Sequence, residues 1–213
     1  GHVDIEVDGE VHRIDIERVH MEEDAGKLTH GGVTGRIHDA SHSLVDYNRA
    51  GTPLMEIVTR PVLGLGAKAP AVAKAYLAHL RELMLALGVS DARMEAGNMR
   101  CDANISLRPP GQAELGTKIE IKNLNTFKGV QAALAHEIVR QSGVLDAGGR
   151  IVQETRRWNA ETGITEPMRG KEDAHDYRYF PDPDLLPVSI SEQQLADWRA
   201  QLPERPAERR RRM

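Results

Sequence analysis

The residues best suited to chemistry gather in one stretch, Met99–Asn125, MRCDANISLRPPGQAELGTKIEIKNLN. In its first arm Cys101, Ala103, Ile105 and Leu107 alternate with Arg100, Asp102, Asn104, Ser106 and Arg108. In its second arm Ile119 and Ile121 alternate with Lys118, Glu120 and Lys122. Strict period-two alternation predicts two strands, and Pro109, Pro110 and Gly111 predict the turn that ends the first. If the apolar residues of both arms face one core, the opposite face carries Arg100, Asp102, Asn104, Arg108, Lys118, Glu120 and Lys122. One reading is the wet side of an antiparallel sheet, where mixed charge is ordinary. The other is the floor of a site. Asn and Asp are poor strand formers, and local rule-breaking gathers where function requires it.

Three further groups invite a chemical reading. Glu22, Glu23 and Asp24 follow a strand-like segment. Three adjacent carboxylates are costly unless solvated or neutralised, and hard oxygen ligands of this kind suit Mg²⁺. An exposed acidic loop is the alternative. Asn48 and Arg49 lie in a turn-rich segment, where the rigid guanidinium fork could grip a phosphate or carboxylate, or could pair with Asp46 or Glu56 and only hold the turn. Tyr177, Arg178, Tyr179 and Phe180 could stack on bases or grip a nucleotide, or plug an edge of the core. His30, His38 and His42 fit no standard zinc spacing. Cys101, the single cysteine, excludes an internal disulfide and falls on the apolar face of its strand, as a small core residue would.

The elements that must position these groups are read in order. Val3, Ile5 and Val7 alternate up to an Asp8-Gly9 hairpin turn, and a return strand runs past Val19 and Met21 into the acidic triplet. Residues 28–43 read as a loop. Leu54, Met55, Ile57 and Val58 predict a buried strand. Pro70–Leu87 is the clearest helix, with Val72, Tyr76, Leu77, Leu80, Leu83, Met84 and Leu87 on one stripe and Gly88 as its stop. A second helix is predicted from about Phe127 to Gln141, capped by Asn125 or Thr126, and a strand over Ile151–Trp158. Ser191 and Gln194 form a capping box that opens a further helix.

Length and composition bound the answer. A chain of 213 residues holds one sizeable domain, or one plus a fragment, and 40% apolar with 28% charged residues suits a globular protein. A net charge of −4 does not advertise nucleic-acid binding by the chain as a whole. No apolar run reaches membrane length and no signal peptide is visible, so a cytoplasmic address is the default expectation. Walker A, GxGxxG and GxSxG patterns are all missing, so any use of ATP does not run through a P-loop. Both ends read as cut from a longer protein.

Several of these stretches together resemble one family, the B subunit of the aspartyl/glutamyl-tRNA amidotransferases. They are HMEEDAGK (20–27), SLVDYNRAGTPLMEIV (43–58), GNMRCDANISLRP (97–109), GTKIEIKNLNTF (116–127), QETRRW (153–158) and MRGKEDAHDYRYFPDPDL (168–185). The resemblance implies an α+β fold similar to glutamine synthetase and the guanido kinases, a curved antiparallel sheet with packed helices, truncated at both ends. It implies a catalytic domain over 1–190, lacking its N-terminal part, and the start of a helical domain over 191–213. It further implies ATP and Mg²⁺ as cofactors and phosphorylation of the side-chain carboxylate of Glu-tRNA(Gln) or Asp-tRNA(Asn), followed by amidation. The implied partners are misacylated tRNA, a glutaminase (amidase) subunit that supplies ammonia, and a small bracing subunit. Carried onto this sequence, the resemblance assigns metal binding to Glu22, Glu23, Glu120 and Asp102. It gives catalytic roles to Glu23, Glu120, Lys122 and Arg100. ATP or substrate contacts fall to Lys27, Asn48, Arg49, Asn104, Asn123, Asn125, Tyr177 and Arg178. Where the family commonly has an acid before the proline at Pro61, this chain has Arg60. The competing expectations are a non-catalytic docking module for tRNA or partner subunits, and another carboxylate-phosphorylating ligase of the same fold.

Overall fold

A computed structural model describes residues 1–31, 41–168 and 186–213. The fold is mixed α+β and divides into two compact units, residues 1–5 with 11–64, and residues 6–10 with 65–213.

Strands β1 (His2–Val7), β2 (Glu10–Glu23) and β5 (Pro53–Thr59), which belong to the first unit apart from residues 6, 7 and 10, form a sheet in the order β1-β2-β5. Asp8 and Gly9 both take positive φ (52° and 76°), the geometry of the predicted tight hairpin turn. β2 and β5 run antiparallel, with His20 opposite Glu56, Met21 opposite Met55 and Glu22 opposite Leu54. The expectation of a buried strand at Leu54–Val58 is corrected in part. The strand is there, but it is the edge of a three-stranded sheet, and Met55 is 39% exposed. The expected loop over 28–43 is corrected at its two ends, while residues 32–40 lie outside the described residues. β3 (Lys27–Gly31) and β4 (His42–Asp46) pair antiparallel, Leu28 opposite Val45 and Thr29 opposite Leu44.

The second unit opens with a 3₁₀ turn (Gly66–Lys68) and α1 (Ala69–Leu87), which Gly88 ends in the left-handed conformation at φ 67°. Its sheet holds β6 (Ala103–Ile105), β7 (Ile119–Lys122), β8 (Glu154–Asn159) and β9 (Ile164–Pro167) in that order. Between β7 and β8 lies α2 (Phe127–Asp146), capped by Thr126, whose hydroxyl accepts from the Gly129 N–H at 2.9 Å. β6 pairs antiparallel with β7, as expected, and β9, a strand the sequence reading did not name, pairs antiparallel with β8. β7 and β8 are parallel, which departs from the purely antiparallel sheet expected. The helix between them is the reason: parallel neighbours need a crossover, and α2 is that crossover. The strand predicted across residues 100–108 shortens to Ala103–Ile105. The arms beyond it approach so closely that a Cβ on Gly116 would collide with the Leu107 carbonyl oxygen. α3 (Glu192–Gln201) carries the predicted capping box of Ser191 and Gln194, and α4 (Pro206–Arg212) follows.

One face of the four-stranded sheet is core. Ile119 and Ile121 are fully buried and pack with Leu77, Leu124, Val130, Ala133, Leu134 and Trp158, and Cys101 lies against the same cluster. Into this face β8 sends a charge, Arg156, 9% exposed. Glu137 of α2, with no exposure at all, stands 3.2 Å from its Nε. Arg140 binds the same carboxylate through two bonds of 2.9 and 2.8 Å, Gln141 donates at 3.0 Å, and Thr165 donates through its hydroxyl. Burial would push the Glu137 carboxyl up, but the bonds from Arg140, Thr165 and Gln141 outweigh it and hold it below the ordinary glutamate range. A carboxyl depressed in the folded state stabilises above its unfolded pKa of about 4.3, and that contribution is lost as pH falls through the folded value. Glu137→Gln is therefore expected to cost roughly 3–5 kcal/mol in urea denaturation at pH 7, because it removes the buried carboxylate shared by Arg140 and Arg156 and leaves Arg156 with Glu154 alone. The gap between variant and wild type should close as pH falls below about 4, and a gap independent of pH would contradict this account.

Candidate functional site

Two clusters, one on each unit, collect most of the predicted site residues. The first is the outer face of the β6–β9 sheet. Because Ile119 and Ile121 point into the core, Glu120 and Lys122 point away from it. The register puts Asn104 directly across from Glu120 on β6 and Thr155 across from it on β8. Lys122 Nζ lies 2.7 Å from Asp102 Oδ2 and 3.2 Å from Glu120 Oε1. The other Glu120 oxygen, Oε2, accepts from the Thr155 hydroxyl at 2.9 Å. Burial works against the Lys122 charge, but Asp102 and Glu120 outweigh it and raise its pKa above the ordinary lysine value. Lys122 is therefore a fixed cation between two carboxylates, on a face open to solvent. Asp102 and Glu120 offer oxygen donors alone, which is the chemistry Mg²⁺ takes, and the ammonium between them is the chemistry phosphate takes.

Around this cluster the other predicted residues take distinct places. Asn104 and Arg100 are exposed. Asn123 follows β7 at a positive φ of 65°, and its amide donates to the Trp158 carbonyl at 2.9 Å. Its own oxygen accepts from Asn125 at 3.1 Å. The bond to Trp158 extends the β7–β8 pairing past the last residue of β7, so the Asn123 side chain holds the end of the sheet. Thr155 was not singled out by the sequence. Threonine is common in strands, and only the register across β7 and β8 sets it beside Glu120.

The second cluster lies at the end of β2. Glu22 and Glu23 fall on opposite faces of the strand, facing Leu54 and Pro53 in register. Glu22 joins two residues the sequence did not mark. His20 Nε2 is 2.7 Å from Glu22 Oε1 and 2.9 Å from Glu56 Oε2. Ligand atoms of His20, Glu22 and Glu56 all lie within 4.8 Å of one another, close enough to hold one metal ion. Their signal in the sequence was partial: His20 and Glu22 share a strand face by period two, but Glu56 arrives only through cross-strand pairing. Asp24 departs from the metal-like triplet. Its side chain is largely buried and pairs with Arg49 at 2.7 Å, a partner the sequence reading did not name beside Asp46 and Glu56. Asp46 instead accepts from the Asn48 N–H at 2.9 Å and shapes the turn. Lys27 opens β3 opposite Asp46. Tyr177 and Arg178 lie outside the described residues.

Comparison with known proteins supplies the family. The model described as the GatB/GatE catalytic domain matches residues 1–196. The chain belongs to this family. Among its curated relatives, a protein of Streptomyces avermitilis is 59% identical over 215 residues and one of Salinispora arenicola 58% over 214. One of Nocardioides sp. is 56% identical over 214 residues. Each is named as the B subunit of an aspartyl/glutamyl-tRNA(Asn/Gln) amidotransferase, and each match covers 100% of this chain and 43% of the relative. The GatB/GatE chain described here thus spans less than half the length of the relatives it matches.

Cys101 stands next to Asp102 in the chain but on the other side of the sheet, against the core. Burial first, and the Asp102 charge second, push its thiol up to about 12. At pH 8 the native thiol is expected to react with Ellman's reagent at least about 100-fold more slowly than the urea-unfolded one. Rapid labelling of the folded chain would refute its placement in the core.

Proposed function

We propose that this chain is the catalytic-domain part of a tRNA-dependent amidotransferase B subunit, acting in the cytoplasm. The match of the whole chain to proteins so named carries the reading, and the Asp102–Lys122–Glu120 cluster suggests how the chemistry is done. On this reading a side-chain carboxylate oxygen of Glu-tRNA(Gln), of Asp-tRNA(Asn) or of both attacks the γ-phosphorus of ATP, and ADP leaves. Ammonia then attacks the acyl carbon, phosphate leaves, and the amide forms with loss of a proton. A glutaminase partner would release the ammonia, and a small third subunit would brace the pair. The domain is read as the glutamine synthetase and guanido kinase type of fold.

Such a reaction brings together negative charges that the protein must neutralise, so positioning and electrostatics do most of the work. Asp102 and Glu120 would hold Mg²⁺ on their unit, as would Glu22, with His20 and Glu56, on theirs; Glu23 is assigned the same role from the opposite strand face. When bound, the ion would supply charge neutralisation at the phosphates. Lys122, already held as a cation, would meet the transferring phosphoryl or the attacking carboxylate. Arg100, Arg49 and Lys27 add further cations, and Asn104, Asn48 and Asn125 add neutral donors for substrate oxygens. Tyr177 and Arg178 are assigned to the nucleotide.

In the complete enzyme, Glu120→Gln is expected to lower amidation of misacylated tRNA by at least about 100-fold while glutamine hydrolysis and tRNA binding persist. Glu23→Gln is expected to do the same. Full activity in both would sink the assignment of the carboxylates. A wild-type complex that binds tRNA but no Mg-ATP would favour the docking-module reading instead.

A further inference from the structure

We infer that Thr155 is a positioning residue for Glu120, and that the buried arginine beside it in β8 sets its aim. This rests on the reading that Glu120 works in the reaction. A carboxylate that binds a metal or faces a phosphoryl group must present its oxygens in one orientation, and the groups that hydrogen-bond it from behind usually provide that. In Glu120 each oxygen has one partner: Lys122 stands at Oε1, and the Thr155 hydroxyl donates to Oε2 at 2.9 Å. The lysine is the partner that substrate would compete for. The threonine is neutral, short and β-branched, so its χ1 is stiff and its hydroxyl stays where the strand puts it.

The strand itself is held hard. A slip of one residue in β8 would turn Thr155 inward and Arg156 outward. Arg156 prevents it, since its Nη2 donates to the Thr165 carbonyl at 2.7 Å, its Nε donates to the Thr165 hydroxyl at 3.0 Å, and Glu137 neutralises it from α2. The Thr155 carbonyl also accepts from the Met168 N–H at 2.9 Å. A buried ion pair on one face of the sheet thus fixes a hydrogen bond on the other.

The test uses the complete amidotransferase and three variants, Thr155→Val, Thr155→Ser and Glu120→Gln, with Mn²⁺ affinity read by electron paramagnetic resonance beside amidation kinetics. Valine keeps the shape and removes the donor, while serine keeps the donor. Thr155→Val is expected to weaken Mn²⁺ binding and to lower kcat for amidation, each by about 10–100-fold, with glutamine hydrolysis unchanged. Thr155→Ser should restore both to within a few-fold of wild type. Wild-type Mn²⁺ affinity in Thr155→Val overturns the inference, as does a Thr155→Ser protein that is folded and no better than valine. If Thr155→Val fails to assemble, the serine variant decides alone: it keeps the donor, so a loss of Mn²⁺ affinity there also overturns it. Glu120→Gln separates the two levels. If it is inactive while Thr155→Val is normal, only the positioning role falls. If it is fully active, the reading of the site and the role of Thr155 fall together.

Discussion

Arg156 and Glu137 meet inside the second unit, where the carboxylate is closed off from water and the guanidinium nearly so, and the four-stranded sheet is organised around that meeting. Each ion left alone there would cost several kcal/mol in desolvation. Together, with Arg140, Gln141 and Thr165 completing the carboxylate's bonds, they form a contact that only one alignment of α2, β8 and β9 satisfies. Apolar packing of Ile119, Ile121 and Trp158 supplies driving force but little register, since hydrophobic contact is non-directional. A buried, fully bonded ion pair has direction, so it can choose between registers that packing would leave nearly equal.

The polar face follows from that choice. With Ile121 and Arg156 side by side and facing inward, Glu120 and Thr155 are side by side and facing outward. Lys122 and Asp102 then come within 2.7 Å of each other across the β6–β7 pair. Surface ion pairs of this exposure contribute little to stability. A cluster of two carboxylates and one ammonium this open to solvent adds little to the fold, and under the proposed function it is where a ligand would bind.

How much of this could be read from the chain depended on range. Local signals gave α1 up to Gly88, the cap of α2 to within one residue (Asn125 or Thr126, of which Thr126 caps), the hairpin turn at Asp8-Gly9 and the capping box at Ser191, because each lies within a few residues of what it specifies. They also gave the outward set of Asp102, Asn104, Glu120 and Lys122, because period two does not depend on the partner strand. Pairing was another matter. Nothing local says that β8 lies parallel to β7, so Thr155 stayed invisible. Nor does it say that β5 sets Glu56 beside His20, or that Asp24 pairs with Arg49. The β3–β4 pair was missed because its glycine and histidine content imitates a loop.

The acidic triplet makes the limit concrete. By type alone Glu22, Glu23 and Asp24 are interchangeable carboxylates. Strand geometry separates the first two, sending Glu22 toward His20 and Glu56 and Glu23 to the other face. The third is claimed by Arg49, and its backbone ties the turn as well, the Asp24 N–H donating to the Thr52 carbonyl at 2.8 Å and the Asp24 carbonyl accepting from Gly51 at 2.9 Å. Asp24 thus closes the segment that carries Asn48 and Arg49, a task its two neighbours do not share. Three adjacent acids are tolerable here because they do not share one environment: one is neutralised by a guanidinium, one meets an imidazole, and one faces water.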